Sequence, residues 1–411
     1  MTPISQEFAP PFKLIAPFFI LGGVFYILSA FFLFGFNVDD FSFLNPKVIS
    51  FTHLFLLGFV MMTIFGAMAQ LVPVVLEVGH FGVELFYAIW PLLLIGTLLM
   101  AFGFIYSPAL LPYGGMTVLI AMLIFVGEIF LTIKKVKEFN VVMSSVLLAN
   151  TFLFFGVIVG LMMALTYAGT IVTDITALLK SHVYLVIGGY LSITLMGLSV
   201  VLLPMFGLSH GFSLKPLHRA LYMMSSSVVL VVVSSLFDIA ILDKIGYVLS
   251  ILSLFIYFYL VYTIYKTRAR KENDIYALSL MFSYISLVVS LVMGLVYLVV
   301  DYEALLLSAA WLMFFGFFGF AITGHIYKII PFLVWFERFS PLVGKEKVPM
   351  LVDMVPTSST QAQFIFTGVG VVIIALAILL QNDQLIGAGA SFMVVGSFAL
   401  LRSILYMINF R

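Results

Sequence analysis

Cysteine is absent from the 411 residues. Its absence excludes disulfides, thiolate metal ligands, iron–sulfur clusters and covalent haem attachment through a CxxCH motif. Charge is scarce too: 9% of the residues are charged and 64% are hydrophobic. A chain so poor in charge cannot cover a water-facing surface, which excludes a soluble globule, and no nucleic-acid partner is expected. Any metal site must be built from His, Met, Tyr or carboxylate.

What remains is a succession of apolar runs of about twenty residues, each long enough to cross a bilayer. Twelve spans are predicted, over 13–35, 48–75, 86–106, 114–133, 144–170, 182–208, 218–241, 245–266, 276–299, 304–335, 363–381 and 384–408. The fold class is therefore an all-α polytopic membrane protein, with the lipid bilayer as its first partner. The first run is as long as a span and lacks a small-residue cleavage pattern, so it is expected to be retained as a helix. Loops after even-numbered spans hold Lys134, Lys135, Lys137, Lys215, Arg219, Lys266, Arg268, Arg270, Lys271, Lys345 and Lys347, against Lys47, Lys180 and Lys244 in the opposite loops. That asymmetry places both termini in the cytoplasm. The loop after span 2 dissents, with Glu77 and Glu84 and no Lys or Arg. Short connections elsewhere predict a single transmembrane domain over 1–411, interrupted by a proline-bearing cytoplasmic crossover at 336–362.

One pattern recurs about every 130 residues. Glycine and proline stand seven apart near the end of spans 2, 6 and 10, at Gly66 and Pro73, Gly197 and Pro204, and Gly324 and Pro331. Twelve spans in three copies give repeats of four helices, approximately 13–133, 144–266 and 276–408. Close helix packing at the glycine, with a helix end or kink at the proline, is the preferred reading.

Thirteen residues before each glycine stand His53, Tyr184 and Trp311, and His182 lies two residues before Tyr184. This is about 20 Å along the helix from the glycine, so the histidine end and the Gly/Pro end are separate regions. His53 is an imidazole in an apolar helix, either a metal ligand or a hydrogen-bonded interfacial residue. His182 follows Lys180 and has a stronger claim to the interfacial reading, while Tyr184 either donates to a bound group or packs. His325 lies beyond reach of His53 and reads as structural or proton-handling. His80, His210, His218, Glu128 and Asn150 read as solvated near the cytoplasmic boundary. The twenty-one methionines read as core filler.

Three quartets with imidazoles at the ends of helices 2 and 6 resemble the catalytic subunit of the haem–copper oxidases and nitric oxide reductases. The likeness rests on "GFVMMTIFGAMAQLVP" after His53, on "HVYLVIGGYLSITLMGLSVVLLP" and on "WLMFFGFFGFAITGHIYKIIP". In that family helix 2 gives an axial histidine to a haem, helix 6 a ligand to copper, and helix 10 a His-x-His pair. The resemblance implies three pseudo-symmetric four-helix arcs and makes His53 a haem or metal ligand. It makes His182 a metal ligand, and Tyr184 and Trp311 the lining of the site. The helix-10 pair falls on Ala309 and Trp311, and helix 7 lacks the internal histidines of the copper site, so no oxygen-reducing centre is expected.

The chain is thus similar to a divergent, non-oxidase relative, like the membrane haem–copper proteins of the nitric oxide response. Haem b, copper or no cofactor at all is compatible with this pattern. An electron-transfer partner or a homo-oligomer, in a bacterial or archaeal plasma membrane, is the expected setting. A carrier for a small solute or metal ion on the same scaffold, and a cofactor-free assembly subunit, are the alternatives.

Overall fold

A computed structural model describes residues 10–411. The N-terminal end, expected in the cytoplasm, falls in residues 1–9 and lies outside the described residues. The described residues hold twelve helices long and apolar enough to cross a membrane, and no strand. They are α1 (Phe12–Gly35), α2 (Pro46–Leu76), α3 (Val83–Ile105), α4 (Pro108–Ile133), α5 (Val141–Tyr167), α6 (Ile175–Gly207), α7 (Lys215–Phe237), α8 (Ala240–Thr267), α9 (Ile275–Val300), α10 (Glu303–Arg338), α11 (Thr357–Leu380) and α12 (Asp383–Ile408). This is the architecture of a polytopic membrane protein, one helix for each expected span. The crossover is shorter than 336–362 because α10 continues to Arg338, and its return path is held where Trp335 Nε1 donates to the Pro349 carbonyl at 2.8 Å.

Helix starts follow from short polar side chains that accept exposed backbone N–H groups. Asn45 accepts from Lys47 N, Asn140 from Met143 N, Asp174 from Thr176 N and Ala177 N, and Asp274 from Ala277 N. Left-handed residues end several helices, among them Glu77, Leu208, Asp238, Asp301 and Gln381. Glu77 and Leu208 each stand four residues after a repeat proline, and the N–H of the next residue bonds back to that proline's carbonyl at 3.1 Å in both copies. The proline therefore sits one turn before the helix end, and the helix stops there. In the third copy Pro331 lies inside a helix that runs on for two more turns.

The residues gather in two compact units. The terminal unit comprises Pro10–Ala69, Met100–Tyr106 and Asn273–Arg411, and the middle unit Gln70–Leu99 and Ser107–Glu272. The terminal unit thus holds α1, most of α2, the end of α3 and α9 to α12, and the middle unit holds the rest of α3 and α4 to α8.

Helices α2, α6 and α10 are set apart from the other nine. They are the longest, at 31, 33 and 36 residues, and 61, 78 and 67% of their most apolar stretch is buried, against 22–50% elsewhere. Apolar all round and enclosed by protein, they are the core helices of their units. Each also loosens into a π-helical segment, Leu54–Met61, Tyr184–Ser192 and Leu312–Gly319. Counted from the repeat glycine, these segments end at the same position in all three copies and begin within one residue of one another.

Each segment contains a second glycine, eight residues before the first: Gly58, Gly189 and Gly316. In every copy the pair of glycines packs on the preceding helix. Phe18 and Phe25 of α1 sit against Gly66 and Gly58, Ser145 and Phe152 of α5 against Gly197 and Gly189, and Ser279 and Ser286 of α9 against Gly324 and Gly316. The partner residues are seven apart each time, two helical turns, as an antiparallel seam requires. A β-carbon at Gly66 would lie 2.7 Å from Phe18 Cβ, and one at Gly316 would lie 2.6 Å from Ser286 Cβ. In the third copy serines of α9 also satisfy α10 carbonyls next to and within the π segment, Ser283 Oγ donating to Phe317 O at 2.8 Å and Ser290 Oγ to Ala309 O at 2.7 Å.

Candidate functional site

His53 is the last α-helical residue of α2 before the π segment begins at Leu54. Its Nδ1 lies 2.7 Å from the carbonyl of Ile49, one turn earlier in the same helix. A carbonyl can only accept, so Nδ1 carries the proton, and in the neutral ring Nε2 carries the lone pair, the form in which imidazole binds a metal. The ring packs against Phe104 at 5.3 Å, and Ser50 Oγ donates to the Ala101 carbonyl at 2.9 Å, stapling the end of α3 beside it.

Trp311 is 4% exposed and closed on all sides. Its Nε1 donates to the Val371 carbonyl at 2.9 Å, and its ring stacks on Phe315 at 4.2 Å and on Phe51 at 6.0 Å. Phe315 stacks in turn on Phe55 at 3.8 Å. Phe51 and Phe55 are each two residues from His53, so they project about 200° away from it around the helix. The aromatic stack occupies the seam between α2 and α10, while His53 meets α3.

In the middle unit, His182 Nδ1 reaches across to the Gly156 carbonyl of α5 at 2.9 Å. The ring fills a groove left by Gly160, where a β-carbon would stand 2.8 Å from Cε1. Gly156 and Gly160, four apart, are a small-residue face that admits the imidazole. Tyr184 packs on Tyr247 of α8 at 5.7 Å, beside the Lys180–Asp243 ion pair at 2.5 Å. Both residues are thus held by their neighbours, His182 by α5 and Tyr184 by α8.

His325 donates through Nδ1 to the Ala321 carbonyl at 2.7 Å and meets the Tyr276 ring edge-on at 5.3 Å. Its Nε2 is buried without a hydrogen-bond partner, one turn from the Lys328–Asp274 pair at 2.6 Å. Among the described residues, no three of His, Cys, Asp and Glu come together as a metal cluster.

Three residues read from sequence as solvated are enclosed. Asn150 is 0% exposed, and its side chain donates to the Val146 carbonyl of its own helix. Glu128 and His80 form an ion pair at 2.8 Å, with 0% and 3% of their side chains exposed. Glu128 Oε1 also accepts from Phe81 N at 3.1 Å and Thr132 Oγ1 at 2.7 Å, while Glu128 Oε2 is buried with no hydrogen-bond partner. Lys135 donates to the carbonyls of Gly79 and His80 at 3.2 and 2.8 Å. Glu128 and Thr132, i and i+4 on one face of α4, and Lys135 in the turn just past its end together hold the loop 78–82. The signal available in sequence was the dissenting loop itself: its missing cation is supplied by Lys135.

At the histidine end of the terminal unit, Asp40 pairs with Lys47 at 2.8 Å. Burial alone would raise this carboxyl, but hydrogen bonds from Lys47 and the Asn37 N–H outweigh it and hold it below the ordinary carboxylate value.

A haem clamped between α2 and α10 by two axial imidazoles does not fit these residues. The seam is filled by rings in contact, and α10 offers no imidazole there. A haem with one axial imidazole fits the donor state of His53, whereas a copper ion would need further ligands drawn from Met, Tyr or water. The chain matches no family model and no curated protein.

Proposed function

We propose that this is an oxidase-like integral membrane protein without an oxygen-reducing centre, which holds one haem b through His53 and serves redox or nitric oxide handling. The observation that carries the reading is the His53 imidazole at the edge of the π segment, its Nδ1 tied to the Ile49 carbonyl so that the ring is held in one orientation. The register shared by three quartets supports an oxidase-like scaffold, and its setting is a bacterial or archaeal plasma membrane with cytoplasmic termini. When bound, the haem would supply a one-electron centre able to take a diatomic ligand. The protein's own contribution is to fix the imidazole, through Ile49, and to wall it with Phe104. An electron-transfer partner or a second copy completes the setting. The test is a reduced-minus-oxidised spectrum with metal analysis on protein from haem-replete cells. A Soret band lost in His53→Ala supports the reading. No Soret band and no stoichiometric metal overturn it.

One observation favours a second reading, a small-solute carrier. The terminal unit buries a string of hydroxyls and amides: Ser359 and Ser403 at 2.8 Å, Tyr327 and Gln363 at 2.9 Å, and Gln363 and Thr367 at 3.3 Å. The Thr63 hydroxyl is also buried in that unit with no hydrogen-bond partner, and the Tyr26 hydroxyl is buried beside Thr367. Polar groups inside a membrane protein commonly line a solute path. Uptake into proteoliposomes that survives His53→Ala and is lost in Gln363→Leu would select this reading.

A further inference from the structure

In each quartet the second helix is tied to the fourth at the Gly/Pro end, and each tie uses different chemistry. After α6, Ser209 Oγ bonds the Ile264 carbonyl at 2.9 Å and Thr267 Oγ1 at 2.5 Å, and the backbone N–H groups of Ala269 and Arg270 reach Leu208 and Gly207. After α10, Arg338 donates to the Phe410 carbonyl at 2.7 Å. Only the tie after α2 encloses an ion pair, Glu128 with His80, between two side chains sealed from solvent.

Holding a loop does not require that. Ser209 does the same work with neutral hydroxyls, and a buried ion pair adds little net stability because desolvation cancels most of its attraction. An ionisable group kept inside a membrane helix is therefore to be read for function first. The carboxylate is lopsided in a way that says which function. Three donors converge on Oε1, and Oε2 faces none. A buried acceptor left empty is costly, and a proton on Oε2 removes that cost.

We propose that Glu128 and His80 form a proton-binding site, and that uptake of one proton at Glu128 Oε2 loosens the loop Val78–Gly82 from α4. The proton comes from hydronium, one of whose O–H bonds breaks as an O–H bond forms at Oε2, water is released, and the pair gains one positive charge. Oε1 then belongs to a neutral acid, so its bonds to His80 and Phe81 lose their charge assistance. The charged and titratable groups around the pair are His80 on the loop, Glu128 on α4 and Lys135 in the turn after α4. From α3 the Phe86 ring faces His80 at 5.0 Å, and Glu77, Glu84 and Lys134 are exposed. This site is independent of His53 and of any haem.

Hydrogen exchange of the purified full chain over a pH series tests it, with the neutral tie at Leu208–Ser213 as internal reference. After correction for intrinsic exchange, protection of the Phe81 amide should fall by up to about tenfold per pH unit on acidification, the signature of one proton. The reference loop should show no such step. Glu128→Gln keeps an acceptor without a titrating charge and should stay docked with the step gone. Thr132→Val should lower protection at every pH and keep the step, and His53→Ala should keep it too. A wild type without a step, or a step that persists in Glu128→Gln, overturns the proposal.

Discussion

The first and second quartets share a seam and differ at both of its ends. Along the seam, α1 with α2 and α5 with α6 use glycine pairs at the same spacing against partners at the same spacing. At the histidine end, His53 bonds within its own helix, while His182 is wedged into the Gly156 and Gly160 groove of a neighbour. At the Gly/Pro end, the first quartet uses a sealed ion pair where the second uses hydroxyls. Architecture sits where the copies agree, and chemistry sits where the first copy departs from the second.

The largest expected effect breaks the shared part. Gly58→Leu and Gly189→Leu each drive a side chain into the phenylalanine of the facing helix, at a cost of about 3 kcal/mol or more. Both should lower the thermal midpoint of the purified protein alike, and a variant that left it unchanged would mean the seam is not close-packed. Next, Glu128→Ala strands His80 in a buried position and should cost roughly 3–5 kcal/mol, while Ser209→Ala at the matching tie should cost about 1 kcal/mol. Denaturant titration of the two variants measures that gap, and equal losses would remove the distinction between the ties.

The twelve helices and the Gly/Pro repeat were legible because apolar run length and glycine spacing are one-dimensional signals. The second glycine was legible too but hidden, since Gly188 stands beside Gly189 and Gly319 near Gly316. The Glu128–His80 pair was not legible. Its members are 48 residues apart, one on a helix read as reaching the boundary and the other on a loop, and only folding of the loop onto α4 encloses them. Trp311 stands at the same register as His53, but its surroundings were not legible, because the stack it makes with Phe315 and Phe51 depends on how α2 and α10 meet.

The smallest effect lies at the histidine end outside the helices. Asp40 has its carboxyl lowered in the folded protein, so its contribution is present above the ordinary carboxylate value near 4. It is lost as pH falls below that through the lowered value. The pair is partly exposed, so the contribution is about 0.5 kcal/mol or less. Asp40→Asn should remove this acid-side loss from the stability profile and leave the neutral-pH midpoint nearly unchanged.

Haem stoichiometry in paired variants tests the central contrast most directly. Protein purified from haem-replete cells should carry one haem b per chain in the wild type and in His182→Ala, and none in His53→Ala. Haem retained in His53→Ala, or lost only in His182→Ala, would contradict the assignment of redox chemistry to the first quartet.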